Sequence, residues 1–271
     1  MNQQETIERA ANVIQNAEAL LFTAGAGIGV DSELPDFRGN EGFWQAYPPF
    51  AKLGLSFVDL ANPRWFERDP QLAWGFYGHR LNLYRATTPH AGFAILKGWS
   101  EQKPARVYTS NVDGQFQIAG LNEVCEVHGS ILHAQCTKPC CDEIWSLENT
   151  EILVDETSFR AEEPLPRCPH CGAMARPNIL MFGDAKWVLG RSLKQEQALM
   201  SWLATLDLTR LTIVEIGAGT ALPTVRHFSE HFQKRGATLI RINVRESDGP
   251  SGTLSLSLGG RDALNRLNAA Q

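Results

Sequence analysis

Four cysteines in two tight pairs carry the most direct chemical signal in the sequence. Cys136 and Cys140 form a C-x3-C pair, and Cys168 and Cys171 a C-x2-C pair. Thiolates presented from two tight turns can close a tetrahedral zinc site, with Cys141 as an alternative to Cys140. Four thiolates leave no position for water, so such a site is structural, and its binding energy is folding energy. A second group of residues stands where apolar runs end. Asn111 and Asp113 follow ARVYTS with Val112 between them, and on an extended chain both polar side chains then face one crevice while the valine faces inward. His128 follows EVCEV and precedes Gly129, which puts an imidazole, a proton acceptor near neutral pH, at a sheet edge. The third signal is backbone chemistry. Gly25-Ala26-Gly27-Ile28-Gly29 follows an apolar run ending near Ala24, and glycines there let backbone N–H groups approach a diphosphate. The loop departs from the dehydrogenase fingerprint, because its sixth position is Val30 and no acidic residue ends a second strand ~20 residues later. Chemistry other than ordinary hydride transfer is indicated.

These residues need elements to position them. Apolar periodicity predicts a helix over Glu5–Ala17 and a buried strand over Ala19–Thr23 before the glycine loop. ARVYTS and EVCEVHG read as two further strands, and LTIVEIGAG and TLIRINV as two more, with TLSLSLGG following them near the C-terminus. Helices over Ser192–Leu206, Pro223–Lys234 and Arg261–Asn268 separate or follow these strands. Strands alternating with helices predict an α/β fold, a Rossmann-like parallel sheet covered on both faces. This sheet domain is discontinuous, comprising residues 1–42, 86–130 and 178–271. An aromatic-rich stretch over 43–85, including QLAWGFYGHRLNLYR, reads as an inserted helical module. The cysteine-bearing stretch over 131–177 lacks periodicity and reads as an inserted zinc-binding module.

Composition narrows the class. The chain has 271 residues, 43% of them hydrophobic, and a net charge of −5, so it can bury a sizeable core and has no basic surplus for a nucleic-acid backbone. Its first residues lack the plan of a secretory signal, and no apolar run approaches the ~20 residues of a membrane helix. No membrane partner is expected. Clustered cysteines suit a metal in a reducing compartment, and the expected location is cytoplasmic. Cys125 falls within a strand and His133 has no motif around it, so both read as structural.

The motifs, taken in order, resemble the sirtuin family. GAGIGVDSELPDFRG is similar to that family's Gly-Ala-Gly followed by Pro-Asp-Phe-Arg, TSNVDGQFQIAG to its Asn-x-Asp-Gly loop, and EVHGS to its His-Gly. RPNILMFGD resembles its Arg-Pro-x-x-x-x-Phe-Gly-acid stretch, and IGAGT and RIN its adenosine-side motifs. The match spans nearly the whole chain. It implies a deacylase that splits NAD, with zinc as a structural metal and an acyl-lysine protein or peptide as substrate. By resemblance, the NAD contacts are Ala24, Gly25, Ala26, Gly27, Asp36, Phe37, Arg38, Ser110, Asn111, Val112, Asp113, Gly217, Gly219, Thr220 and Asn243. Phe37 shields the reacting ribose carbon and Arg38 helps hold the diphosphate side. Asn111 positions the ribose or a water, Asp113 binds the nicotinamide carboxamide, and His128 takes the proton of the ribose hydroxyl. Phe182 and Gly183, on a strand-like edge, pair with the substrate backbone. Tyr77 and Arg80, one helical turn apart, resemble the Tyr-x-x-Arg pair that grips acidic acyl groups in one subclass. The chain departs from the family pattern at Ser110, where Gln is usual, and at Gly29 and Glu33, where Ser and Gly are frequent. The same scaffold admits an NAD hydrolase or ADP-ribosyltransferase, and a non-catalytic NAD sensor.

Overall fold

A computed structural model describes residues 2–35, 43–44, 47–52, 54–155 and 157–271. Six parallel strands form its main sheet: β1 (Ala19–Ala24), β2 (Ala105–Thr109), β3 (Val124–Glu126), β9 (Leu211–Ile216), β10 (Thr238–Ile242) and β11 (Leu254–Leu256). Their spatial order is β3-β2-β1-β9-β10-β11. The chain winds outward from β1 in one direction and then restarts at β9 in the other, which is the doubly wound plan. Every residue of β1 and β9 is buried, as central strands covered by helices on both faces must be. Leu20 and Phe22 face one core with helices α1 (Gln3–Asn16), α3 (Ala91–Gln102) and α6 (Gly260–Ala269). Leu21 faces the other with α4 (Gly190–Leu203) and α5 (Thr224–Gln233). The start of α1 is fixed by a capping box in which Asn2 accepts from the Glu5 N–H and Glu5 accepts from the Asn2 N–H.

Strand register decides where the functional residues emerge. Ala24 lies opposite both Thr109 and Ile216, Thr109 opposite Glu126, and Ile216 opposite Ile242. The residues that follow, Gly25, Ser110, Val127, Gly217 and Asn243, therefore leave the sheet along one line at its C-terminal edge.

A second core joins the remaining elements. The long helix α2 (Pro70–Ala86) and short helices Phe57–Leu60 and Trp65–Arg68 pack their aromatic residues against β4 (Gly129–Cys136) and β8 (Ala175–Ile179). These two strands and β5 (Trp145–Ser146) form a small antiparallel sheet, and β6 (Val154–Asp155) pairs with β7 (Arg160–Ala161). Trp74 Nε1 donates to the Ala175 carbonyl at 3.0 Å, and Asn82 Nδ2 to that of Ile152 at 2.9 Å. A Cβ on Gly75 would come within 1.9 Å of the Phe159 carbonyl oxygen, so only glycine lets α2 approach that hairpin. The aromatic and cysteine-bearing stretches thus share one core. No described helix is long and apolar enough to cross a membrane.

Two expectations from sequence are corrected by the fold. Asn111, Val112 and Asp113 are not strand residues, because β2 ends at Thr109 and the chain turns away. Val112 is held inward by the Ile131 N–H, which donates to its carbonyl. Phe182 and Gly183 are not on a strand edge, since β8 ends at Ile179 and both lie in a turn with Gly183 at φ +68°. The Phe182 N–H is already donated to the Ala61 carbonyl.

Candidate functional site

The sharpest constraint lies between β1 and β9. Gly217 adopts φ +65°, and a Cβ there would stand 2.3 Å from the Ile28 nitrogen and 2.4 Å from the Gly27 carbonyl carbon. A Cβ on Gly25 would stand 2.8 Å from the Ala218 Cα. The two loops cross backbone on backbone, which only glycine allows. The N–H groups of Gly25 and Gly27 donate to the Ile216 and Gly217 carbonyls. These glycines therefore bring two loops together, with the N–H groups of Gly25 and Gly27 spent on the crossing. Asp36, Phe37 and Arg38 lie outside the described residues.

Beside this crossing, Thr109 Oγ1 donates to the Ala24 carbonyl and accepts from the Asn111 N–H. Asn111 Nδ2 donates to the Gly25 carbonyl at 3.2 Å, and the Ser110 N–H to that of Ala24. These bonds fix the β2 loop against the glycine loop. Asp113 is buried, and desolvation lifts its carboxyl to about 6 against the lowering effect of the Gln115 N–H, with the nearby Glu126 adding to the rise. Glu126 is itself buried and paired with Arg191. His128 follows in the turn between β3 and β4, half-buried, and burial lowers its imidazole below the usual value despite a hydrogen bond to the Ser110 backbone. A neutral, proton-accepting imidazole is thus bound to the same loop that carries Asn111 and Asp113. His133 is pushed down to about 4 by burial and by Arg191, and stays uncharged.

On the far side, Gly219 and Thr220 follow Gly217 in the loop after β9. The Asn243 side chain is consumed internally: Nδ2 donates to the Ala218 carbonyl at 2.9 Å, while Oδ1 accepts from the Arg245 and Glu246 N–H groups. It shapes the loop, and a direct ligand contact by its amide is not the role this geometry favours. Glu246, which sequence reasoning missed, accepts from both the N–H and the hydroxyl of Thr220. Its only sequence signal is its place three residues after an Asx-turn asparagine. Arg226 was also missed; from the first turn of α5 its guanidinium binds the carbonyls of Ala218, Glu246 and Asp248.

Tyr77 and Arg80 do share a face of α2, but both are buried, at 1% and 5% exposure. Arg80 Nε and Nη2 both donate to the Tyr84 hydroxyl, at 3.1 and 2.9 Å, and its guanidinium lies over the rings of Phe57, Phe76, Tyr77 and Tyr84. The Tyr77 hydroxyl is buried with no hydrogen-bond partner among the described residues. Tyr84 was readable as the i+4 partner of Arg80. A cavity of about 420 Å³ opens nearby between Glu33, Leu34, Tyr47, His79 and Leu83. A smaller one, about 240 Å³, is lined by Asn62, Arg176, Gly183 and Asp184.

Cys136, Cys140, Cys168 and Cys171 converge, with all four sulfurs within 4.8 Å of one another. Cys136 to Cys171 and Cys140 to Cys168 are both 3.6 Å. A tetrahedron of ~2.3 Å Zn–S bonds requires about 3.8 Å between sulfurs, so the donors fit one zinc ion with little adjustment. The choice between Cys140 and Cys141 falls to Cys140.

A doubly wound sheet whose C-terminal edge carries this polar crevice, beside an insert with a four-cysteine cluster, defines a Rossmann-like α/β protein with a metal-stapled module. A family model described as "Sir2 family" matches residues 25–201. An NAD-dependent protein deacylase of Aeropyrum pernix is 31% identical over 257 residues, 94% of this chain and 92% of that protein. NAD-dependent protein deacylase 2 of Pyrobaculum aerophilum is 31% identical over 88% of this chain and 84% of its own length. Among solved structures, a mutant Sir2 homologue in complex with 2'-O-acetyl ADP ribose superposes with a TM-score of 0.72, at 24% identity over 97% of this chain and 95% of that one. This chain belongs to the Sir2 family.

The cluster makes the first prediction. Purified protein should carry about one zinc per chain, and Cys168→Ser or Cys171→Ser should lose both the metal and several kcal/mol of stability, read by metal analysis and chemical denaturation. Full stability in a zinc-free variant would contradict a structural role.

Proposed function

We propose that this chain is an NAD-dependent protein lysine deacylase, releasing free lysine, nicotinamide and O-acyl-ADP-ribose. The observation that carries the reading is the neutral imidazole of His128, in the turn after β3, hydrogen-bonded to the backbone of Ser110, whose own N–H is bonded to Ala24 beside the switch point between β1 and β9. In open α/β sheets a dinucleotide binds at that switch point. Relatives similar along nearly their whole length are named NAD-dependent protein deacylases.

NAD, when bound, supplies an activated glycosidic bond to the acyl oxygen. The chain's own residues then have separate tasks. His128, kept unprotonated by burial, accepts the proton of a ribose hydroxyl. Asn111 orients the ribose or a water from a loop tied to Gly25. Asp113, once ionised, accepts from the carboxamide of nicotinamide. Val112, packed inward, sets the directions of both. Glu246 and Thr220 form the polar border of the adenosine side. Zinc is held by the four thiolates and takes no part in the chemistry.

Incubation with NAD, with and without an acylated peptide, tests the reading. Acyl-dependent nicotinamide release is expected; acyl-independent release would indicate an NAD hydrolase or ADP-ribosyltransferase, and no release a non-catalytic sensor. His128→Ala should cost ~10²–10⁴-fold in turnover. The rate should rise with pH through about 6 as Asp113 ionises, and Asp113→Asn should remove that limb from the pH profile. A folded His128→Ala variant with unaltered turnover would remove the proposed base.

The acyl preference rests on α2. A guanidinium stacked on aromatic rings and joined to a phenol, beside a second phenol with no partner among the described residues, offers an acidic acyl chain a charge and a donor. Succinyl-lysine is therefore accepted at least as well as acetyl-lysine, and Arg80→Met lowers desuccinylation selectively. Matched kinetics on the two peptides decide this. Equal losses on both, or no wild-type succinyl activity, would reduce Tyr77 and Arg80 to packing residues.

A further inference from the structure

The four-cysteine cluster has a neighbour that the family resemblance does not assign. Cys141, Glu143 and His170 present a sulfur, a carboxylate oxygen and an imidazole nitrogen within 4.8 Å of one another. The three come from the same two turns that supply the first cluster. Cys141 and Glu143 follow Cys140, and His170 lies between Cys168 and Cys171. Cys141 Sγ stands 3.8 Å from Cys140 Sγ, and His170 Nε2 is in close contact with Glu143.

We propose that Cys141, Glu143 and His170 form a second, exchangeable metal site for a thiophilic divalent ion of the zinc type. Three donor types suit that ion, since thiolate, imidazole and carboxylate are all ordinary zinc ligands at ~2.0–2.3 Å. Donors bound at such lengths in a tetrahedron stand about 3.3–3.8 Å apart, within the 4.8 Å that spans the three here, and the touching His170 and Glu143 side chains, both half exposed, would part to admit the ion. One thiolate and one carboxylate balance a divalent charge. A first ion held by four thiolates carries two net negative charges, and their field favours a cation on this side. The surroundings fit exchange and not permanent capture. His170 and Glu143 side chains are half exposed, at 50% and 49%, and three protein ligands leave a fourth position to water or an outside ligand. An exposed His–Glu pair without a metal contributes little to stability, so ion pairing alone gives no reason for the thiol beside it. An ion here would cross-link the two turns a second time from outside, making the rigidity of the cysteine-bearing insert depend on free metal.

Equilibrium dialysis of the intact protein against increasing zinc, followed by metal analysis, tests this. Wild type is expected to rise from about one to about two zinc ions per chain, the second removed by a mild chelator while the first remains. Cys141→Ser, His170→Ala and, as an independent check, Glu143→Gln should each keep about one ion and weaken the second at least ~10-fold, since even an outer-shell partner is worth ~10–100-fold in metal affinity. Retention of the first ion reports an intact fold in each variant. Saturation of wild type at about one ion, or an unchanged second ion in Cys141→Ser and His170→Ala, would overturn the proposal. Neither result depends on the catalytic reading.

Discussion

The candidate site on the main sheet is organised by two loops touching where the sheet changes direction. With β1 and β9 side by side and Ala24 level with Ile216, the chain leaves both strands at the same height, and backbone must pass backbone without a side chain between. Gly25 and Gly217 remove that side chain, and the N–H groups of Gly25 and Gly27 close the crossing with hydrogen bonds to Ile216 and Gly217. From this point the β2 loop is anchored through Thr109 and Asn111, and the β3 turn through the hydrogen bond between His128 and the Ser110 backbone. The Sir2 plan thus places its polar groups by strand register and by loop-to-loop bonds, with little contribution from local helix or turn propensity.

Buried charge stiffens the frame on both sides of the crossing. Arg241 and Glu215 sit opposite each other on β10 and β9, both fully buried, with Glu230 completing the group. Arg176 and Asp184 form another buried pair beneath the turn that carries Gly183. Breaking such a pair costs ~3–5 kcal/mol, because the partner is left charged and unsolvated. These pairs fix geometry where apolar packing alone would permit sliding. The second core works differently, locking α2 to the cysteine-bearing insert through aromatic faces and donors such as Trp74. Helix α2 and the metal-stapled strands therefore share one core.

Much of this was legible from residue order because it is local. Short apolar runs, ending either in glycine or in polar residues, gave the buried strands, and helical periodicity gave α1, α2 and α4 to within a few residues. Cysteine spacing indicated a metal cluster, and only the adjacent Cys140 and Cys141 left a choice that three-dimensional placement resolves. What stayed hidden depends on partners far away in the chain. Asn243 carries a ligand-like side chain, yet its amide is spent on Ala218, 25 residues away, and on its own loop. The local pattern gives Arg80 its Tyr84 partner on α2, but not the ring of Phe57, from a separate short helix, that lies over its guanidinium. Phe182 reads as strand continuation, but its N–H is captured by Ala61, which no pattern near it reveals.

The crossing at the switch point is also the most directly measurable claim. Gly217→Ala introduces a Cβ at a positive φ and against the Gly27–Ile28 backbone, a strain of at least ~1–3 kcal/mol, whereas Gly98→Ala adds one into open space on α3. Calorimetric titration of both variants with NAD compares them. Wild-type affinity is expected in Gly98→Ala and binding weakened at least ~10-fold in Gly217→Ala, equivalent to about 1.4 kcal/mol. Unaltered NAD affinity in a folded Gly217→Ala protein would contradict this expectation.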